Sequence, residues 1–321
     1  MSNQKMTLGG FLDSWLEKVV KGSVRYSTYI AYKGYINNHI KRFMDDTLLV
    51  DLKPVVIQNF VCKLIGEVRL CARTIRIIVA MLGNALNYAE DYELINRNPC
   101  KRIKLPKAEE EEIKVFTNIE QTHIEKAVMD SDDNRLYGII ITLYTGLRIG
   151  ELCALKWANI DFENTQMKVT ASLNRIEQES GGKKACMAEQ EPKTKKSKRV
   201  IQLPDFLIPI LKKLKAESNG EYVISMISGK FVNPRTMQII YKKLLEKAGV
   251  DYGSFHALRH TFATRAAELN ADVKTVSETL GHTNTMITLN RYTHSLKEQK
   301  RKMMRNLDSY FRNKNMVVFS K

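Results

Sequence analysis

The chain has 321 residues, 51 Lys+Arg against 35 Asp+Glu, a net charge of +16 and an isoelectric point near 9.5. Its length suffices for two domains, and its positive excess favours a polyanionic partner. No apolar run approaches the roughly 20 residues needed to span a bilayer, and "MSNQKMTLGGFLDSW" has neither a signal core nor a cleavage site, so a cytoplasmic protein without a membrane partner is expected.

Helical signals fill the first hundred residues. "TLGGFLDSWLEKVV" starts at a Thr cap and puts Phe11, Leu12, Trp15, Leu16 and Val19 on one stripe. "YSTYIAYKGYINNHI" repeats the pattern, and "KPVVIQNFVCKLIG" carries Pro54 near its first turn, where a missing N–H costs nothing. "CARTIRIIVAMLGNALNYAEDYELI" is long and apolar on one face, and "NRNPC" should end it. Residues 1–104, net +7, therefore read as a small helical domain. The acidic, Pro-containing "LPKAEEEEIK" at 105–114 reads as a linker, and residues 115–321, net +11, as a second basic domain. Two basic halves around an acidic joint suggest a clamp on one polyanion.

The second half is mixed, so the fold class expected is mainly α with a small antiparallel sheet. "NRLYGIIITLYTG" is an apolar helix stopped at Gly146, and "LRIGELCALKW" restarts at once. "ANIDFENTQMKVTAS" reads as a hairpin turning at Asn164-Thr165, "NRIEQESGGKKACMAEQ" as a long polar loop, and the end of "EPKTKKSKRVIQLP" as a strand. Helices are expected at about 205–217, 234–248, 256–269, 272–280 and 284–293, then a basic helix "LKEQKRKMMRNLDSYF" and an apolar tail "MVVFS".

Six residues could carry chemistry on a phosphodiester. Its five-coordinate transition state gathers negative charge, so catalysis is mostly positioning and charge stabilisation. Arg148 and Arg259 offer planar donor forks for phosphate oxygens. His256 stands three residues before Arg259, and His282 follows Gly281. Tyr292 supplies a hydroxyl nucleophile, and Lys193 a proton for the leaving oxygen. Each has a plainer alternative: Arg148 as a helix-end ion pair with Glu151, Lys193 as one of five basic residues between 193 and 199, His282 as a cap, Tyr292 as a core aromatic. His256 and His260 are spaced like a metal pair, but two neighbouring arginines make a poor cation site. No metal is expected.

In this order, "TGLRIGELCALKW", "PKTKKSKRVIQLP", "HALRHTFATRAAE" and "LGHTNTMITLNRYTH" resemble the tyrosine recombinase (phage integrase) family, especially integrases of conjugative transposons and phages. The resemblance implies a helical core-site DNA-binding domain and an α+β catalytic domain in a C-shaped clamp on duplex DNA. It implies four protomers exchanging strands through a Holliday junction, with residues from about 295 to 321 in protomer–protomer contact. Arg148 and Arg259 would hold the scissile phosphate, aided by His256 and His282. Lys193 would protonate the 5′ oxygen, and Tyr292 would form a 3′-phosphotyrosyl link without ATP, metal or other cofactor. Glu151 would orient the site. Arg73, Arg76, Lys195, Lys198 and Arg199 are candidate DNA contacts, and accessory directionality or DNA-bending proteins are possible partners. Many relatives carry a further small arm-binding domain before the helical one, which this sequence is expected to lack, whether naturally or by truncation. Integration or excision of a mobile element is the first reading. Dimer resolution by the same chemistry, a topoisomerase of related chemistry and a DNA-binding regulator without catalysis are the alternatives.

Overall fold

The computed structural model describes residues 6–108, 114–176, 186–191, 198–282 and 293–313. These divide into two compact units, one drawn from 1–112 and 175–186, the other from 113–174 and 187–321.

The first unit is helical. Helix α1 (Leu8–Trp15) starts where the Thr7 hydroxyl accepts the Gly10 N–H. It widens through a π turn (Leu16–Val20) into a short α2 (Lys21–Ser23), and α3 (Tyr26–Tyr35) passes through a second π turn (Ile36–Ile40) into α4 (Lys41–Met44). Each π turn opens and closes on a buried side chain, Leu16 and Val20 in one, Ile36 and Ile40 in the other. Such turns re-phase an apolar stripe without breaking the helix. Then come α5 (Pro54–Gly66), with its proline in the first turn, and α6 (Ala72–Asp91). Helix α6 ends at Asp91, earlier than "NRNPC". Buried Asn98 instead pins the chain back onto α6, its Nδ2 donating to Gly83 O and Asn87 Oδ1. Ile57, Phe60, Ile75, Ile78, Leu82 and Leu86 lie at the centre of this unit's core.

The second unit opens with α7 (Asn118–Met129), capped reciprocally by Thr117 and Glu120. Helix α8 (Tyr137–Thr145) is buried nearly all round and runs through the core. Gly146, at φ +66°, stops it, and α9 (Ile149–Cys153) follows. Strands β1 (Ile160–Asp161) and β2 (Gln166–Val169) form the expected hairpin, with Ile160 opposite Met167. The stretch 174–190, expected as a polar loop, instead holds the end of strand β3 (Ser172–Ile176) and all of β4 (Cys186–Gln190), which pair with each other. Strand β5 (Arg199–Gln202) runs antiparallel to β2 on its free edge. Helices α10 (Leu207–Glu217), α11 (Pro234–Ala248), α12 (His256–Glu268) and α13 (Val273–Leu280) follow, and α14 is Thr293–Asn313. The helix expected at 284–293 and the tail beyond Asn313 lie outside the described residues. Among the described residues no helix is long and apolar enough to cross a membrane.

Candidate active site

The candidate site is built where α8, α9, α12, α13 and β5 meet. Gly146 makes the first corner. Its left-handed conformation disfavours any side chain, and a Cβ there would lie 2.6 Å from Leu280 Cδ2 and 2.7 Å from Phe262 Cδ1. The sharp turn leaves Arg148 extended as the N-cap of α9, with 36% of its side chain exposed.

Helix α12 brings Arg259 under that corner. Its side chain is 1% exposed, with Nη1 donating to Gly146 O at 2.7 Å and Nη2 to Leu280 O at 2.7 Å. His256 is exposed on the first turn of α12, and the His260 ring meets it edge-on with centroids 4.7 Å apart. Among the described residues no group of His, Cys, Asp and Glu is placed to hold a metal ion.

Helix α13 closes the site. The Asp272 carboxylate caps its start, and Gly281, at φ +66°, ends it. The Gly281 N–H reaches Glu278 O and the His282 N–H reaches Ser277 O, a Schellman ending. The helix's last carbonyls still need donors, and three arginines from three elements supply them. Arg199 Nε donates to Thr279 O at 2.5 Å, Arg259 Nη2 to Leu280 O, and Arg148 Nη2 to Gly281 O at 3.1 Å. The negative end of the helix dipole favours these cations. Half-buried His282 follows directly.

Glu151 lies between two of them. Its carboxylate accepts from Arg148 Nη1 at 2.8 Å, the Arg148 N–H at 3.0 Å, Arg199 Nη1 at 3.2 Å and Arg199 Nη2 at 2.9 Å. Burial works against its ionisation, but the Arg199 bonds and charge, then Arg148, outweigh it and hold the carboxyl below its ordinary value. Three guanidinium groups against one carboxylate leave the cluster cationic, as a phosphoryl transition state requires.

The structure therefore brings Arg148, Glu151, Arg259 and His282 together and sets His256 one helical turn from Arg259. The Arg148–Glu151 ion pair, weighed in the sequence as the plainer alternative, is present as part of the same cluster. Lys193, Lys195 and Tyr292 lie outside the described residues. Arg73 is exposed on α6; Arg76, also exposed, donates through Nε to Pro106 O. Lys198 is exposed beside Glu191 at 2.7 Å. Arg199 is a correction: the sequence offers it as a DNA contact, but its side chain is 5% exposed and its guanidinium is bonded to Glu151 and Thr279. It shares the inward face of β5 with buried Ile201, while Val200 and Gln202 face outward.

The phage integrase family model matches residues 105–299, more than half of the chain. The chain belongs to this family. The model for the N-terminal SAM-like domain of phage integrases matches residues 7–65. A XerC-like tyrosine recombinase of Caldanaerobacter subterraneus subsp. tengcongensis is 36% identical over 96% of this chain and 84% of its own length. The integrase of Staphylococcus phage L54a is 26% identical over 94% of this chain and 93% of its own. Among solved structures, the Tn1549 transposon integrase with a circular-intermediate DNA superposes with a TM-score of 0.82 at 21% identity, covering 94% of this chain and 99% of that one. A lambda integrase tetramer bound to a Holliday junction gives a TM-score of 0.68 at 22% identity, covering 88% and 80%. These two likenesses establish a shared fold. Family membership makes the chain a tyrosine recombinase, an enzyme of site-specific recombination that cleaves and rejoins DNA.

Proposed function

We propose that this recombinase breaks a DNA phosphodiester by attack of the Tyr292 hydroxyl on phosphorus. The tyrosyl oxygen–phosphorus bond forms as the bond to the 5′ oxygen breaks, and Lys193 gives that oxygen its proton. Arg148 and Arg259 grip the non-bridging oxygens, assisted by His256 and His282, and Glu151 orients Arg148. The product is a 3′-phosphotyrosyl link and a free 5′-hydroxyl. The link conserves the bond energy, so a 5′-hydroxyl from another strand reverses the step, and neither metal nor ATP enters the balance. The observation that carries this reading is the convergence of Arg148 and Arg259 on the end of α13, just before His282, with Glu151 held between Arg148 and Arg199.

The substrate in this reading is duplex DNA at the core sites of a mobile element, acted on in the bacterial cytoplasm. The lambda integrase tetramer on a Holliday junction supports four protomers exchanging strands; in this reading residues 295–321 make the contact between protomers. Residues 1–104 bind core-site DNA, Arg73 and Arg76 among the contacts, 105–114 link, and 115–321 carry catalysis with Lys195 and Lys198 near the backbone. The 36% identity to a XerC-like recombinase favours a second reading, resolution of chromosome or plasmid dimers by the same chemistry. Mapping cleavage on an element end and on a dimer-resolution site separates the two.

The chemistry is tested with a nicked cognate site that traps the covalent intermediate. Wild type should form an adduct through Tyr292, and Tyr292→Phe should form none while still retarding the DNA. An undiminished adduct from Tyr292→Phe overturns the assignment, and absence of any wild-type adduct favours a non-catalytic DNA binder.

A further inference from the structure

Arg199 has no part in the reaction as proposed, yet it occupies the centre of the cluster. It leaves β5 on the face of Ile201, reaches the Glu151 carboxylate with two nitrogens at 3.2 and 2.9 Å, and donates its third to Thr279 O at 2.5 Å. The geometry points to Arg199 as a positioning residue of the recombination reaction, acting through Glu151 to set the Arg148 fork and fixing that pair to the end of α13. This rests on the reading of Arg148 as a phosphate-gripping residue.

The coupling between Arg199 and Arg148 runs through the carboxylate. Glu151 is 4% exposed, and its oxygens take donors from Arg148 and Arg199. The charged groups facing it are Arg148, at the start of its own helix, and Arg199, from β5. Arg259, from α12, bonds the flanking Gly146 and Leu280 carbonyls, and His282 follows at the end of α13. With Arg199 gone, Arg148 alone would counter the burial of the carboxylate, which would then take up a proton more readily. A protonated Glu151 grips Arg148 less firmly, and a fork displaced by about an ångström loses much of its effect on a transition state. Nothing comparable follows from a surface lysine such as Lys198.

The test is single-turnover cleavage of the nicked substrate from pH 5.5 to 8, with DNA retardation and thermal melting alongside. Arg199→Gln should retain DNA binding but cleave roughly 10- to 100-fold more slowly at pH 6, recovering as pH rises, an acid limb that wild type lacks. Glu151→Gln/Arg199→Gln, with neither buried charge, should lack that limb and cleave no more slowly than Glu151→Gln alone. Arg199→Lys, which keeps the charge but not the fork, should fall between. A wild-type profile for Arg199→Gln overturns the inference, as does an equal loss at every pH that the double variant deepens. If Arg199→Gln does not fold, the double variant against Glu151→Gln decides: a further loss overturns the inference and parity supports it. Arg148→Ala separates the two levels. Wild-type cleavage by Arg148→Ala sinks the reading of Arg148 itself, whereas slow Arg148→Ala beside unaffected Arg199→Gln sinks only the role of Arg199.

Discussion

Glu151 links stability to pH in a definite sense. Its folded value is lowered, so the stabilisation it brings is complete above its ordinary value of 4.5 and is lost as pH falls through the lowered one. Chemical denaturation at pH 6 and pH 3.5 should therefore show a smaller acid-induced loss for Glu151→Gln than for wild type. At pH 6 the same variant should be less stable by about 3–5 kcal/mol, because Arg199 is left buried without its counter-charge. Gly146 makes a separate case. Gly146→Ala puts a Cβ into Leu280 and Phe262 on a left-handed backbone, and should cost at least about 1–3 kcal/mol. It should also slow adduct formation, since the displaced carbonyl is the one that Arg259 holds; a thermal melt and the trapping assay check both.

At the scale of elements, α7 separates folding from chemistry. Thr117→Ala removes one half of its capping box and should cost about 0.5–2 kcal/mol, with cleavage per folded molecule unchanged in the trapping assay. Several elements can be read directly from residues: the Thr7 cap, Pro54 in a first turn, the stop at Gly146 and the turn between β1 and β2. Each is a local backbone requirement that one or two side chains declare. Helix α7 goes unpredicted because only Ile124, Ala127 and Val128 are buried along it, too sparse a stripe for periodicity, although Thr117 and Glu120 spell the capping signature. Strands β3 and β4 are hidden by their polar sequence, since their pairing is a tertiary fact. The inward turn of Arg199 was legible in principle: period two along β5 places it with Ile201. Its membership of a basic run drew it outward instead. The convergence of Arg148, Arg199 and Arg259 on one helix end depends on contacts far apart in the chain, and no local pattern encodes that.

For the whole molecule, a net charge of +16 makes DNA affinity a matter of counterions. If six to ten phosphates are neutralised, log K should fall linearly with log salt, by about 10³–10⁵ between 50 and 200 mM. A flat titration of binding against salt would contradict a phosphate-dominated interface. Folding of the second unit bears on safety as well as stability. Helix α13 is held by side chains from residues 148, 199 and 259, and one inserted residue would swing its terminal carbonyls by about 100°, out of reach of all three. That helix end works as a checksum: a chain misfolded at any of three distant places presents no competent centre, so an enzyme able to cut DNA stays blunt until its fold is finished.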